Sequence, residues 1–431
     1  MRSFLLPLGL AAAWLSPIAC PSAHAQDAPP SLATVSRAAS AAAPQEAEPA
    51  GLITLDAALA LAAAQNPTLS AARMELDASE GGIAQARVIR NPEVSVQMED
   101  TRQTTRATTA QMNLPLELGG KRTARIDAAQ RAREVAQAQL SAAQADLRAA
   151  VIAAFFNVLI AQERVRLAAG SVDIATRGAQ AAARRVAAGK ISPVEETKAQ
   201  VELANAGLEQ AEADAALVAA RQSLSTQWGN PSPRFSAADG KLDALPARPD
   251  AAVLRQSLDA APLLLTSERE LDRRQADINV QRSRQYPDVT LSVGAKRDNG
   301  APERGTFPVL GVAIPLPLFD RNQGNVYTAI RQADKAADEL RAVRLRLEHD
   351  LQQASSQLAL SRASAQTLRD TVLPAAQRAL QAATQGFEAG KFNYLEVLDA
   401  QRTLFQARIR YLGVIASSWQ AATTIDRILG R

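Results

Sequence analysis

One pattern of prolines, glycines and apolar runs occurs twice in this chain of 431 residues, and no fold that leaves the repetition unexplained is admissible. Asn91-Pro92-Glu93-Val94, LPLELGGKR and VAAGKISPVEETKAQ are followed in the same order by Tyr286-Pro287-Asp288-Val289, IPLPLFDRN and FEAGKFNYLEVLDAQ. Pro92 matches Pro287, Pro115 matches Pro315 and Gly189 matches Gly390, at offsets of 195, 200 and 201 residues. Self-similarity in a fixed order marks one architectural unit duplicated in tandem.

Each unit reads as helix, strand hairpin, very long helix, turn and helix. In the first, Thr54 caps a helix whose spacing continues to about Arg90, where Asn91-Pro92 stops it. Val94, Val96 and Met98 then alternate with Ser95, Gln97 and Glu99, and Ala110, Met112 and Leu114 alternate with Thr109, Gln111 and Asn113. Two such runs joined by the short polar stretch DTRQTTR form an antiparallel hairpin with one apolar face, over 92–116. The second hairpin, 287–316, has Val289, Leu291 and Val293 on one side, and its return strand, Phe307 to Ile314, alternates poorly. Lys121 to Ala188 holds no proline, and helix formers fill it, predicting a helix on the order of 100 Å long. Arg321 to Ala389 repeats it with one interruption, Pro374, expected to kink the helix. Turns at 189–192 and 390–393 lead into the last helix of each unit. The expected division is 51–228 and 251–431 for the two units, with 229–250 (GNPSP, LPARP) as linker and 26–50 as a flexible segment.

Arg2, an apolar stretch from Phe4 to Ala19, and Ala23-His24-Ala25 have the layout of an export signal over 1–25, cleaved after Ala25. The stretch contains Pro7 and Pro17 and is shorter than the roughly 20 residues of a spanning helix, which argues against an uncleaved anchor. Lipidation of Cys20 is the minority alternative. Removal of the leader takes with it the only cysteine, leaving no disulfide or thiolate site. His349 is then the sole histidine, placed as a solvated helix residue in LRLEHDLQQ. No cofactor or resident metal is expected, and neither GxSxG, HExxH nor a phosphate-cradling GxxxxGK motif points to an enzyme. Roughly a fifth of the chain is alanine and only 4% is aromatic, the composition of closely packed thin helices. A net charge of +4 with both signs interspersed gives no nucleic-acid patch.

The longest apolar run, Val151 to Ala161, is too short to span a bilayer as a helix, so the strands are the membrane candidates. An apolar face opposite one of Ser, Thr, Gln and Glu fits lipid on one side and water on the other. Four strands cannot close a barrel, and open edges in lipid leave backbone groups unsatisfied, so several chains must share one.

At LPLELGGKRTARIDAAQ, AAGKISPVEETKAQ and EAGKFNYLEVLDAQRTL the chain resembles the TolC-type outer-membrane efflux family, and LELGGKR most resembles its cobalt-zinc-cadmium branch. The likeness covers nearly all of the chain beyond the leader. It implies a mainly α fold with a small β part: tandem long helical hairpins and two β-hairpins, forming a homotrimeric helical tunnel through the periplasm continuous with a twelve-stranded barrel in outer-membrane lipid. It implies passive efflux, foremost of divalent heavy-metal cations, with a periplasmic adaptor and an inner-membrane pump of the resistance-nodulation-division type as partners. Drugs or secreted polypeptides are the alternative cargo. A periplasmic adaptor, with a single helical hairpin flanked by Gly-rich β domains, is the alternative class.

Under the resemblance, acidic residues matching Glu396 and Asp399 line the tunnel's inner constriction, three copies of each forming a cation-attracting ring. Glu195 stands three residues after Ser192 and Glu396 three after Asn393, so both also fit a capping box; Asp399 lies beyond capping range. Lys198 occupies in the first unit the position of Asp399 in the second, suggesting salt bridges from Lys198 to Glu396 or Asp399. A tyrosine and an arginine that help hold some family members closed match Phe387 and Phe392, so the closing contacts must differ here. Gly189, Lys190, Ile191, Gly390, Lys391 and Phe392 are the candidates for adaptor contact.

Overall fold

The computed structural model describes residues 48–100, 102–242, 244–300 and 305–431. The expected leader, its cleavage site and Cys20 lie outside the described residues, as does most of the 26–50 segment.

The chain runs β1 (Leu52–Ile53), α1 (Leu55–Gln65), α2 (Pro67–Arg87), β2 (Glu93–Glu99), β3 (Ala107–Leu116), α3 (Lys121–Ala187), α4 (Pro193–Ser225) and β4 (Ala237–Ala238). It continues with α5 (Ala251–Arg255), α6 (Pro262–Ser283), β5 (Val289–Asp298), β6 (Gly305–Ala313), α7 (Gln323–Thr367), a π turn (Leu368–Val372), α8 (Leu373–Glu388) and α9 (Tyr394–Leu429). The first expected helix is in fact two. Pro67 has no amide hydrogen to continue α1 and is accepted at the first position of α2, where that hydrogen has no partner anyway. Asn66 ends α1 and caps α2, its Oδ1 accepting from the Leu69 amide at 2.8 Å, while Thr54 Oγ1 caps α1 by accepting from the Ala57 amide at 3.3 Å.

Four strands form one antiparallel sheet in the order β2-β3-β5-β6, so the two hairpins join through β3 and β5. Register aligns Val94, Met112, Val293 and Leu310 in one row and Leu114, Leu291 and Val312 in the next. This face is bare: Val94 is 73% exposed and Leu310 80%. The opposite face is polar, with Asn113 Nδ2 donating to Ser95 Oγ at 3.1 Å, Ser292 Oγ donating to Asn113 Oδ1 at 2.6 Å, and Lys296 Nζ 3.2 Å from Glu99. The poor alternation of the last strand is explained by the same register, which puts Phe307 and Val309 on the polar side opposite Lys296 and Gly294. Strands β2 and β6 are left as open edges.

The helices pack by a heptad rule with alanine at the contacts. Ala168, Ala175 and Ala182 on α3, and Ala199, Ala206 and Ala213 on α4, recur every seventh residue and are all buried. Such a strict repeat draws two helices into a left-handed supercoil, and methyl-sized contacts let the backbones approach closely. Leu347, Leu351, Ala354, Leu358, Ser361, Ala365 and Leu368 continue the rule along α7. The buried residues of α8, Ala376, Ala383 and Phe387, then fall one residue later than that rhythm demands. The π turn supplies the extra residue. It also accounts for the change of offset between the two long helices, which is 200 residues before it (Ala154 with Ala354, Val158 with Leu358) and 201 after it (Ala175 with Ala376, Ala182 with Ala383). Pro374 follows directly, in the first turn of α8, so the expected interruption takes the form of a widened helical turn.

Two cores sit midway along α3 and α7. In one, Val151, Phe155 and Val158 of α3 meet Ile53, Leu61, Leu224, Trp228 and Phe235, with Trp419 stacked on Phe156 at 3.4 Å. In the other, Leu254, Leu258 and Leu264 meet Leu351 and Ile425. The 229–250 segment does more than link: β4 pairs in parallel with β1, and Gln162 holds Ala238 by both its amide hydrogen and its carbonyl. Among the described residues α3 is the one helix long and apolar enough by composition to cross a membrane, which the run lengths alone had not suggested. Half of that apolar window is buried inside the protein, where it forms the first core.

Candidate functional site

Both long helices end in the same device. Gly189 and Gly390 adopt left-handed backbone (φ 68° and 73°), which a side chain would strain. Lys190 N–H donates to Arg185 C=O and Gly189 N–H to Val186 C=O, both at 2.8 Å; Lys391 N–H donates to Gly386 C=O at 2.8 Å and Gly390 N–H to Phe387 C=O at 3.0 Å. These paired bonds satisfy the carbonyls that a helix end leaves orphaned. Pro193 and Tyr394 then start α4 and α9.

The two turns, two hundred residues apart in sequence, share one small core. Ala182 and Ala199 from the first hairpin meet Ala383, Phe387, Tyr394, Val397 and Leu398 from the second, with Ile191 packed against them. Tyr394 is 4% exposed, and burial pushes its phenol pKa up. Room for it comes from Gly178, where a Cβ would overlap the Tyr394 hydroxyl; likewise a Cβ at Gly386 would overlap the Phe392 ring. Lys190, Lys391, Gly189, Gly390 and Phe392 stay exposed at the tip, and Ile191 is half-buried.

Of the acidic candidates, Glu396 and Asp399 are exposed, one turn apart on α9, and neither carboxylate has a hydrogen-bond or ion-pair partner among the described residues. Asn393 Oδ1 accepts from the Glu396 amide at 3.1 Å, so the backbone half of the second capping box forms. The first does not close: Ser192 Oγ accepts from the Val194 amide at 3.3 Å, the Glu195 amide donates to the Ser192 carbonyl, and Glu195 Oε2 is buried without a partner among the described residues. Lys198 is exposed and makes no ion pair among the described residues. A cross-hairpin salt bridge lies one turn further from the tip, where Arg402 of α9 pairs with Glu202 of α4. It spans a groove of about 400 Å³ floored by Ser171 and Ala175 and lined by Glu209, Glu212 and Phe405. Burial first, then the Glu212 charge, raise the Glu209 pKa, with Arg164 opposing.

The sequence reading missed Arg185. Its guanidinium lies 3.8 Å from the centroid of the Phe387 ring, and its Nη2 donates to the Phe387 carbonyl at 2.9 Å, tying the first hairpin to the cap of the second. The available signal was an arginine in the last turn of a helix, where cations are favoured. Its partner, a ring on another hairpin, is visible only in three dimensions.

A second built region joins sheet to helices, and the LELGGKR motif makes it. Arg125 grips Glu117 with both terminal nitrogens (2.7 and 3.2 Å), and that hydrogen bonding holds the Glu117 carboxyl below the usual carboxylate range against the opposing effect of burial. Arg90 bridges Glu117 and Asp288, Lys121 Nζ pairs with Asp288 at 2.6 Å, and Arg122 donates twice to the Arg87 carbonyl. Gly119, also left-handed (φ 67°), lies under the Tyr286 ring, with no space for a Cβ.

A duplicated helix–hairpin–helix unit whose two hairpins merge into one sheet with a bare apolar face, and whose long coiled helices end in paired glycine turns, defines a channel-forming outer-membrane architecture. The chain belongs to the outer membrane efflux protein family, whose model matches residues 58–230 and 253–431. It is 63% identical over 432 residues to the cobalt-zinc-cadmium resistance protein CzcC of Cupriavidus metallidurans, covering 100% of both chains. Its fold matches a membrane protein from Pseudomonas aeruginosa (TM-score 0.76, 20% identity, 87% of this chain and 92% of that one). It also matches the outer membrane protein VceC from Vibrio cholerae (TM-score 0.73, 17% identity, 87% and 96%).

Proposed function

We propose that three copies of this chain form a passive duct in the outer membrane of a Gram-negative bacterium, carrying divalent heavy-metal cations outward from a periplasmic adaptor and an inner-membrane pump of the resistance-nodulation-division type. The carrying observation is the four-stranded sheet with one bare apolar face, one polar face and two open edges. Three such sheets edge to edge give twelve strands, a closed barrel with lipid outside and water inside. Full-length identity to CzcC supports metal cations as cargo over drugs or polypeptides. On this reading the exposed Glu396 and Asp399 carboxylates, repeated threefold at the tunnel's inner end, concentrate cations by field alone. Lys198 and Glu195 stand at the same constriction, and the exposed Gly189, Lys190, Gly390, Lys391 and Phe392, with the half-buried Ile191, receive the adaptor. The 1–25 leader, cut after Ala25, directs export.

The test is conductance in planar bilayers, wild type against Glu396→Ala with Asp399→Ala. Cation-selective currents that lose selectivity in the double variant support both duct and ring. Currents of unchanged selectivity reject the ring, and a protein that never inserts rejects the duct.

A further inference from the structure

The duplication fills one sheet junction inside the chain and leaves its counterpart empty. Where β3 pairs with β5, the segment leaving β3 closes on the segment entering β5: Lys121 meets Asp288 at 2.6 Å, and Gly119 fits under Tyr286. The matching segments leave β6 and enter β2. Offsets of 200 and 195 residues put Arg321 where Lys121 stands, Phe319 where Gly119 stands, Asn91 where Tyr286 stands and Glu93 where Asp288 stands. The charge pair keeps its sense, and the bulk changes sides: glycine against tyrosine becomes phenylalanine against asparagine. Within one copy these residues do not meet. Phe319 is 92% exposed, Asn91, Glu93 and Arg321 are exposed, and neither Glu93 nor Arg321 has an ion pair among the described residues.

We propose that these segments close on one another between neighbouring copies of the chain, Arg321 of one pairing with Glu93 of the next while Phe319 covers Asn91, so that three inter-copy junctions repeat the three internal ones. This rests on the trimeric barrel reading. An independent check comes from side-chain alternation. Carried by the same two offsets, the β3–β5 register opposes Val312 to Met98, Ile314 to Val96 and Leu316 to Val94 across the open edges, every one on the apolar face. A slip of one residue would set Val312 against Gln97 or Glu99 and turn the faces against each other. The exposure of Ile314, Leu316 and Leu318 just beyond the end of β6 is what such a junction would cover.

The experiment uses full-length protein in membranes, in a Cys20→Ser background. Glu93→Arg and Arg321→Glu singly should each raise the trimer dissociation constant by about tenfold or more, and the charge-swapped double variant should recover most of the loss. Asn91→Cys with Phe319→Cys should yield covalent dimers and trimers on oxidation, which neither single cysteine gives. A double swap no better than the sum of its singles overturns the ion pair. Intact trimers without cross-links, together with quenching of a Phe319→Trp variant by brominated lipid, overturn the junction and assign Phe319 to the membrane. Wild-type protein that is not trimeric removes the barrel reading itself, a separate result.

Discussion

Arg185 offers the sharpest test of how the two helix turns are held together. Replacing it with alanine removes a cation at 3.8 Å from the Phe387 ring, an interaction of about 1 kcal/mol in a half-buried setting. It also removes the donor at 2.9 Å from the Phe387 carbonyl, a charge-assisted bond whose net contribution is about 1.5 kcal/mol. That carbonyl still accepts from the Gly390 amide, so no buried acceptor is orphaned, and the total loss is about 2.5 kcal/mol. Because the contact joins two hairpins at their tip, the loss falls on local opening and leaves the midway cores intact. At 1.4 kcal/mol per factor of ten, about 2.5 kcal/mol corresponds to roughly sixtyfold faster amide exchange, measured at Gly390 and Lys391. Arg185→Lys keeps the charge without the planar fork and should fall between wild type and alanine. A double-mutant cycle with Phe387→Leu isolates the ring term. Unchanged exchange at the second turn in Arg185→Ala, in protein whose global melting is also unchanged, would refute the tie.

Gly178→Ala forces a methyl into the Tyr394 hydroxyl and should lower stability by about 1–3 kcal/mol; adding Tyr394→Phe should return part of it, read as a melting temperature. Glu48 accepts from Trp228 Nε1, Asn230 Nδ2 and the amides of Arg234 and Phe235, which together overcome burial and hold its pKa below the ordinary 4.5. A depressed carboxylate contributes stability above its unfolded pKa that is lost as pH falls through the folded one. The wild-type advantage over Glu48→Gln should therefore be constant near neutrality and shrink below pH 4.5, followed by thermal melts across that range. Deleting Thr371 together with Pro374→Ala should convert the π turn into continuous α-helix and keep Ala376 and Ala383 facing inward; a variant that no longer folds would contradict the one-residue account.

Much was legible in the residues because helix and strand periodicities need no partner to be read. The duplication, both hairpins, the long helices and the glycine turns follow from proline and glycine placement and from apolar spacing of two or of three to four residues. The exceptions are local contests. Asn66-Pro67 splits one expected helix because a proline inside regular spacing is also an excellent first residue. The change of offset from 200 to 201 could be counted but not located, since a π turn leaves no residue signature apart from the proline beside it.

The contacts that make a site from these elements belong to tertiary structure alone. Arg185 on Phe387, Glu202 with Arg402, and Lys121 with Asp288 join residues some two hundred positions apart, and pairing at that distance depends on how helices roll and strands register. A residue pattern fixes which side of a helix or strand is apolar, because burial acts on each element separately. Which polar side chain meets which is decided only when the faces are brought together. For that reason the sequence by itself determined the repeated unit and its strands with one apolar face, while the folded chain decided the open capping box at Glu195, the exposure of Lys198 and the ties that hold the two hairpins as one.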